Sequence, residues 1–311
     1  MLITVAICTF NRAESLRRTL ESLAAMHKVE RLNWEIVVVN NNSNDHTDAV
    51  IEAFSARLPI RREFEPKPGA SHARNRAVEI GRGDYFLWTD DDVVVHPDWL
   101  AAYIEAFRAH PEAAVFGGPI TPRYEPPVQK WVLQSEALLG APYCIRNLTD
   151  EKKPLAVSGN RLPLGANFAV RGAEQRAFQY NPELGPGPGT QRRGEEHDVI
   201  ERILRSGAIG YAVPGARVEH CIGRERQTVE YLVKYFEGAG EQDAFLQRQN
   251  PDNNVPSMWF GAPRWLWRGL IEGWLLYRFH RPISPGAVWV RHLRTYAYAA
   301  GAIRYWRGQH V

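Results

Sequence analysis

Strand and helix patterns alternate four times in the first 110 residues, and no other feature of the chain narrows its fold as much. Residues 2–9, 34–39, 60–64 and 85–88 are short apolar runs, rich in β-branched or aromatic side chains, as buried strands are. Between them lie helical patterns. Leu16, Leu20 and Leu23 line one face of the first, the second runs to Leu58, the third covers 71–80 and the fourth 97–110. Asn11 is expected to cap the first helix, with Glu14 three residues on as its return partner. Thr47 or Asp45 is expected to cap the second. Connections of this length join parallel neighbours, so the pattern predicts an α/β sheet with helices on both faces. Ligands of such sheets sit beyond the carboxyl ends of the strands. Thr9, Asn40, Glu65 and the aspartates from Asp90 follow the four strands and should meet on that rim.

The end of the fourth strand carries the most pointed chemistry. Tyr85, Phe86, Leu87 and Trp88 lead to three consecutive carboxylates, Asp90, Asp91 and Asp92, before apolar residues resume at Val93. Adjacent anions repel one another, and burial raises their pKa values further. One reading is a solvated acidic turn. The other is a cation site, because Asp90 and Asp92 stand two residues apart and can hold one hard divalent ion. Water and a substrate phosphate would complete its shell.

At 311 residues and 44% hydrophobic, the chain can bury a large core, as one elaborated domain or two fused ones. Cys8, Cys144 and Cys221 follow no pairing pattern, which points to reduced thiols in a cytosolic compartment. The strand-like start carries no basic leader with a cleavage site, and no apolar run reaches the ~20 residues that span a bilayer. The expected location is cytoplasmic, with a peripheral position on the inner face of the membrane as a second option. That option rests on charge placement. The net charge is +3, yet residues 264–311 hold eight arginines against one acid, Glu272, which leaves about −4 for residues 1–263. The same tail holds Trp265, Trp267, Trp274, Trp289 and Trp306. A basic, tryptophan-rich end suggests an anionic neighbour.

The middle of the chain is less regular. Residues 119–127 are Pro-rich, 131–139 read as a short helix, and an irregular stretch follows. GANFAV from Gly165 looks like a return to the sheet, and 184–193 (LGPGPGTQRR) reads as a loop. Gly194 then opens a helix with Glu195, Glu196 and Asp198 in its first turn and Val199, Ile200, Ile203 and Leu204 along it. Acids at a helix start favour the macrodipole, which alone accounts for them.

Seven motifs, taken in order, resemble the family-2 glycosyltransferases, inverting enzymes with the GT-A fold. They are VAICTFNR from Val5, VVVNNNSNDHT from Val37, GASHARNRAV from Gly69, FLWTDDDV from Phe86, GANFAVR from Gly165, GEEHDVIERILRSG from Gly194 and VPGARVEH from Val213. The resemblance implies a GT-A-like (Rossmann-like) mixed, mostly parallel sheet flanked by helices over residues 1–245. Residues 246–311 would then be a basic, aromatic C-terminal helical extension. It also implies transfer of a sugar from a nucleotide-diphosphate donor, UDP favoured, to a hydroxyl of a glycan or lipid-linked acceptor, as in polysaccharide biosynthesis.

The roles that the resemblance implies match physical needs. A leaving diphosphate gathers negative charge, which a divalent cation (Mn2+ or Mg2+) offsets. Asp92 is the first candidate ligand, Asp90 supports it or contacts the ribose, and His220 is a third ligand or a diphosphate contact. Asp91 points away from the ion. The donor side also takes in Thr9, Asn11, Arg12, Asn40, Asn42, Arg74 and Asp91, with Thr9 and Asn40 at base and ribose. The acceptor hydroxyl must lose its proton on the face opposite the leaving group. Glu196 is the base implied by the motif, with Glu195 as the alternative. Gly165, Ala166, Asn167 and Asp198 would face the acceptor. Two positions depart from the family pattern. Asn40 stands where Asp is usual and adds a donor, and Glu196 stands where Asp is usual and is one methylene longer.

Past the helix at 230–240 the resemblance thins. Trp265, Leu266, Leu270, Trp274 and Tyr277 mark a helix over 264–280, and Trp289, Leu293, Tyr296, Ala300 and Ile303 mark another over 287–306. These helices either close a core, form a dimer or lie on an anionic membrane surface. Nucleic acid is not expected, since no binding module is present, and the sequence does not set the oligomeric state. Two rival functions stay open. A sugar-phosphate nucleotidyltransferase would want a glycine-rich loop where Thr9, Phe10, Asn11 and Arg12 stand. A non-catalytic glycan-binding or membrane scaffold would not need Asp90, Asp92 and Glu196.

Overall fold

The computed structural model describes residues 1–150, 154–157, 161–188, 192–249 and 257–308. In chain order the elements are β1 (Leu2–Thr9), α1 (Ala13–Ala24), β2 (Asn33–Asn40), α2 (Thr47–Phe54), β3 (Ile60–Phe64), α3 (Ala70–Ile80), β4 (Tyr85–Trp88), β5 (Val93–Val95), α4 (Trp99–Ala109), β6 (Val115–Gly117) and β7 (Ile120–Tyr124). They continue with α5 (Lys130–Gln134), β8 (Phe168–Arg171), α6 (Gly172–Ala177), α7 (Glu195–Arg205), β9 (Gly210–Ala212), β10 (Val218–Ile222), α8 (Val229–Gln249), β11 (Met258–Trp259), β12 (Ala262–Pro263), α9 (Arg264–His280) and α10 (Gly286–Trp306).

These elements form two compact units, each drawn from separated stretches. The first takes residues 1–123, 144–182 and 194–221, and the second takes 124–143, 183–193 and 222–311. α8 runs through residue 245 and packs along α10.

The first unit is built on a seven-stranded sheet in the order β3-β2-β1-β4-β8-β6-β9. β3, β2, β1 and β4 run parallel, as the alternation predicts. β8 lies antiparallel between β4 and β6, which makes the sheet mixed, and β9 joins β6 in parallel. Alternate residues of β1 serve opposite faces, as a two-residue period requires. Ile3, Val5 and Ile7 pack with Leu16 and Leu20 of α1 and with Trp99 and Tyr103 of α4. Ala6, with Val37 and Val39, packs with Ala73 and Ala77 of α3 and with Ile200 and Ile203 of α7. A second sheet, β5-β10-β7, sets His220 opposite Val93. That register brings His220 beside the last aspartate of the acidic run.

Of the two expected caps, Asp45 holds the second helix as expected, and the first differs. Asn11 does not cap α1, since its side chain accepts from Asn44 N at 2.8 Å while its backbone takes a left-handed φ of 52°. Asp45 serves both helices instead, accepting from Ala13 N of α1 and Thr47 N of α2, each at 3.0 Å. α2 stops at Phe54 rather than Leu58. Pro59 follows, and a residue before proline disfavours the helical region.

The second unit is helical. α8 and α10 touch backbone to backbone. A Cβ placed on Gly240 would fall 2.0 Å from Tyr298 O, and one on Gly301 would fall 1.9 Å from Glu237 O. α9 begins at Arg264 and ends at His280 as its spacing predicts. Its inward line, however, is Leu266, Gly273 and Tyr277, whereas Trp265 and Trp274 are half exposed. α9 turns Trp265 and Trp274 outward because α10 covers the opposite side.

Candidate active site

The register between β1 and β4 pairs Ala6 with Trp88, so the residues after both strands emerge side by side. Thr9 Oγ1 donates to Asp91 Oδ2 at 2.7 Å. Arg12, at the start of α1, lays Nη1 3.1 Å from Asp91 Oδ1 and 3.0 Å from Asp92 Oδ2. Asp91 thus faces Thr9 and Arg12. The third aspartate has another neighbour, because His220 Nε2 lies 3.3 Å from Asp92 Oδ1. Both residues are buried, and Cys221 N donates to Asp92 O at 2.8 Å, which extends the β5–β10 ladder to the acidic run.

Arg74 ties this run to a second group of acids. It lies on α3, buried, with its guanidinium 5.2 Å from the Trp88 ring centroid and 5.7 Å from that of Tyr180. Nη2 stands 3.4 Å from Asp90 Oδ1 and Nε stands 3.4 Å from Glu195 Oε1. A planar fork can span two carboxylates in this way, where a point charge could not. Gly194 turns into α7 with a left-handed φ of 83°, which places Glu195 and Glu196 at the helix start. A Cβ on Gly165 would meet Arg74 Nη2 at 3.1 Å and Glu196 Oε1 at 3.2 Å. Glycine there leaves room beside both groups.

The electrostatics separate the acids. Burial pushes the Asp90 carboxyl up, and the Asp92 charge adds to it against the pull of Arg74. Burial also pushes Asp91 up to about 6, although Arg12 works against it. At the second group the two glutamates diverge. Burial and the Glu196 charge raise Glu195. Burial acts the same way on Glu196, but His197 and Arg74 outweigh it and hold that carboxyl well below its usual range. His197 Nδ1 lies 3.8 Å from Glu196 Oε1, an ion-pair distance beyond hydrogen-bond reach. Burial opposes its charge, yet Glu196 keeps its proton on, so its pKa rises. Two neighbouring carboxyls with values pushed apart hold different protonation states near neutrality, as acid–base pairs do.

The donor set can be compared with a cation. Among the described residues no three His, Cys, Asp or Glu side chains stand close enough to enclose an ion. Two of them, Asp92 and His220, do approach each other. Carboxylate oxygens with one imidazole suit Mn2+ or Mg2+, and small divalent ions accept one or two protein ligands with substrate phosphates and water. The raised values at Asp90 and Asp91 also fit, because a cation nearby would relieve the like-charge crowding.

Several expected residues have their side chains engaged by protein neighbours, although Asn40 stands opposite Thr9 on the expected rim. Asn167 is a core residue rather than an acceptor contact. Its Oδ1 accepts from Trp99 Nε1 and Tyr103 Oη, and its Nδ2 donates to Pro119 O and Ala216 O. Ala166 is buried, and its carbonyl takes Thr89 Oγ1. Asp198 gives its carboxylate to Arg202 one turn on, at 2.7 Å. Asn40 ties down its own loop, donating to Asp48 Oδ1 and accepting from Ser43 N, rather than presenting a bare acceptor. Glu65 accepts from Lys67 N. Asn42 stays in the same loop with a left-handed φ of 64°. Residues 189–191 of the expected loop at 184–193 fall outside the described residues. Tyr180 and His197 belong to no motif role, although His197 directly follows the glutamate pair. Burial pushes the Cys8 thiol up to about 12 and leaves it unreactive.

A family model described as Glycosyl transferase family 2 matches residues 4–163. The succinoglycan biosynthesis protein ExoM of Rhizobium meliloti is 33% identical over 132 residues, 42% of this chain and 42% of that protein. A glucosyl-dolichyl phosphate glucuronosyltransferase of Haloferax volcanii is 30% identical over 125 residues, 39% of each. The chain's match spans about two fifths of the length of these curated relatives. Among solved structures, the mannosyltransferase PcManGT from Pyrobaculum calidifontis, in complex with GDP-Man and Mn2+, has a TM-score of 0.57 at 16% identity, covering 96% of this chain and 73% of that one. S. aureus TarS 1-349 in complex with UDP-GlcNAc has a TM-score of 0.55 at 14% identity, covering 99% and 93%. At these identities the likeness establishes the fold.

Proposed function

We propose, because the chain belongs to glycosyl transferase family 2 and has the GT-A fold, that it moves a sugar from a nucleotide-diphosphate donor to an acceptor hydroxyl with inversion. One observation carries this reading: Arg74 bridges Asp90 and Glu195, so the acidic run and the glutamate pair belong to one site. An inverting transfer needs both, one to take up the leaving group's charge and one to take the acceptor's proton.

Asp92 and His220, with Asp90 beside them, would hold a divalent cation. When bound, it would supply charge for the departing diphosphate. Arg12 pairs with Asp91 and Asp92 from the start of α1 and would meet donor phosphates. Thr9 fixes Asp91, and Arg74 keeps the two acidic groups in register. Glu196 is the general base. It is ionised near neutrality, borders the space at Gly165 and can receive the hydroxyl proton while the oxygen attacks the anomeric carbon and the nucleoside diphosphate departs with the bonding pair. His197 would steady the charge on Glu196 until the proton arrives.

A second reading has one observation behind it. Glu195 has the raised pKa, nearer to the value an efficient base needs. Its Oε1 is held by Arg74, however, and its side chain is the more enclosed of the two. UDP is the favoured nucleotide. The fold-level neighbours were solved with UDP-GlcNAc and with GDP-Man, which supports a diphosphate donor of either kind. A glycan or lipid-linked acceptor is in keeping with the names of the curated relatives. Thermal shift against UDP, GDP, TDP and CMP with Mn2+, followed by donor hydrolysis with Mn2+ and with EDTA, tests the reading. Stabilisation by a nucleoside diphosphate and hydrolysis lost in EDTA are expected. No response to any nucleotide would overturn it.

A further inference from the structure

We propose that the second unit carries a docking face for an anionic lipid surface, formed by the outward side of α9 and the β11–β12 turn. The proposal stands apart from the transferase reading, since it uses no residue of the acidic site.

α9 is apolar on two sides. Leu266, Gly273 and Tyr277 face inward. On the opposite side, at helical spacing, Ile271, Leu275 and Phe279 are 55%, 53% and 63% exposed. A helix that needed only its packed face would present polar residues there. The apolar surface continues past the helix at both ends. Ile283 follows it at 68% exposure, and Trp259 and Phe260 precede it at 53% and 69%. Phe260 takes a left-handed φ of 44°, rare for a bulky residue. Its ring leans on Trp259 and Trp267, with centroids 4.9 and 6.1 Å away, and completes an aromatic ridge. Beside the ridge lies a cleft of about 320 Å³ with Trp259, Trp265, Trp267 and Ile271 as apolar walls and Arg264 and Arg268 as cations. Among the described residues nothing covers this surface.

Charge selects the occupant. Arg264, Arg268, Arg278 and Arg281 are exposed on or just beyond α9. Glu272, the one acid from Arg264 onward, already pairs with Arg268 at 2.8 Å. A second copy of this chain would set arginine against arginine, which is unfavourable. An anionic bilayer accepts both components: aromatic rings settle at headgroup level while guanidinium groups reach lipid phosphates. No helix among the described residues is long and apolar enough to cross a membrane, so the contact is with its surface.

Flotation of the full chain tests this with two vesicle types, pure phosphatidylcholine and an equal mixture with phosphatidylglycerol. Binding to the mixed vesicles is expected, falling as salt rises, with little binding to phosphatidylcholine alone. I271D with F279D should lower the bound fraction about tenfold, and R268E with R278E about tenfold on the mixed vesicles. Both variants should keep the wild-type melting temperature, because the altered side chains are exposed. Equal binding to both vesicle types, or flotation of the I271D/F279D variant at the wild-type level, would overturn the proposal. So would sedimentation equilibrium showing a dimer that I271D/F279D splits, with no flotation of the parent; the occupant would then be a second copy.

Discussion

The two units treat charge in opposite ways. In the first, Asp90, Asp91, Asp92, Glu195 and Glu196 are drawn into a shielded cluster that Arg12 and Arg74 hold together. In the second, arginines with Trp259, Trp265 and Trp274 face outward, and the interior is made by helices whose glycines let backbones touch. A shielded cluster of like charges destabilises a fold unless something offsets it, so in the first unit the ligand chemistry can be read from how the acids constrain one another. In the second unit it is read from apolar surface left uncovered.

Arg74→Ala leaves Asp90 and Glu195 facing each other without their shared cation and should cost about 3–5 kcal/mol in denaturant unfolding. Arg74→Lys should recover only part of this, since an ammonium cannot span both acids. A loss below about 1 kcal/mol for Arg74→Ala would mean that the two acidic groups are not coupled through it. In the second unit, Gly301→Ala forces a methyl onto Glu237 O and should cost about 1–3 kcal/mol without altering nucleotide binding.

A smaller effect concerns pH. Folded Asp91 keeps its proton up to about 6, whereas the unfolded side chain releases it near its ordinary value. Between those values the folded state binds more protons, so this group's contribution to stability falls as pH rises through the window. Asp91→Asn should flatten the decline in Tm across that interval by a few degrees, and an unchanged slope would contradict the buried, crowded carboxyl. The smallest effect belongs to the exposed face. I271D/F279D should change stability by no more than about 0.5 kcal/mol and leave donor hydrolysis in solution intact.

Much of the first unit was legible because its strands are short apolar runs set between helical periods. β1, β4 and α9 fall where the pattern places them. The antiparallel insertion of β8 was not legible in direction, since four residues carry no sign of strand sense. Nor was the division into units, because each gathers separated stretches and contact rather than sequence defines it. At the candidate site, the resemblance pointed to Asp92, Arg74 and Glu196, but not to what holds them. Asn167 illustrates the limit: an amide beside a motif suggests a ligand contact, while its surroundings use all of it for the core. Asp45 shows the reverse, one carboxylate capping two helices far apart in sequence.

The central claim is that one cleft both holds the donor and strips the acceptor's proton, with Glu196 as the base. Glu196→Gln tests it most directly, through paired measurement of nucleotide affinity in Mn2+ and of nucleoside diphosphate release from UDP- and GDP-sugars. Affinity unchanged within about twofold and release slowed by about 10²–10⁴ are predicted. Release at about a tenth of the wild-type rate or better would place the base elsewhere.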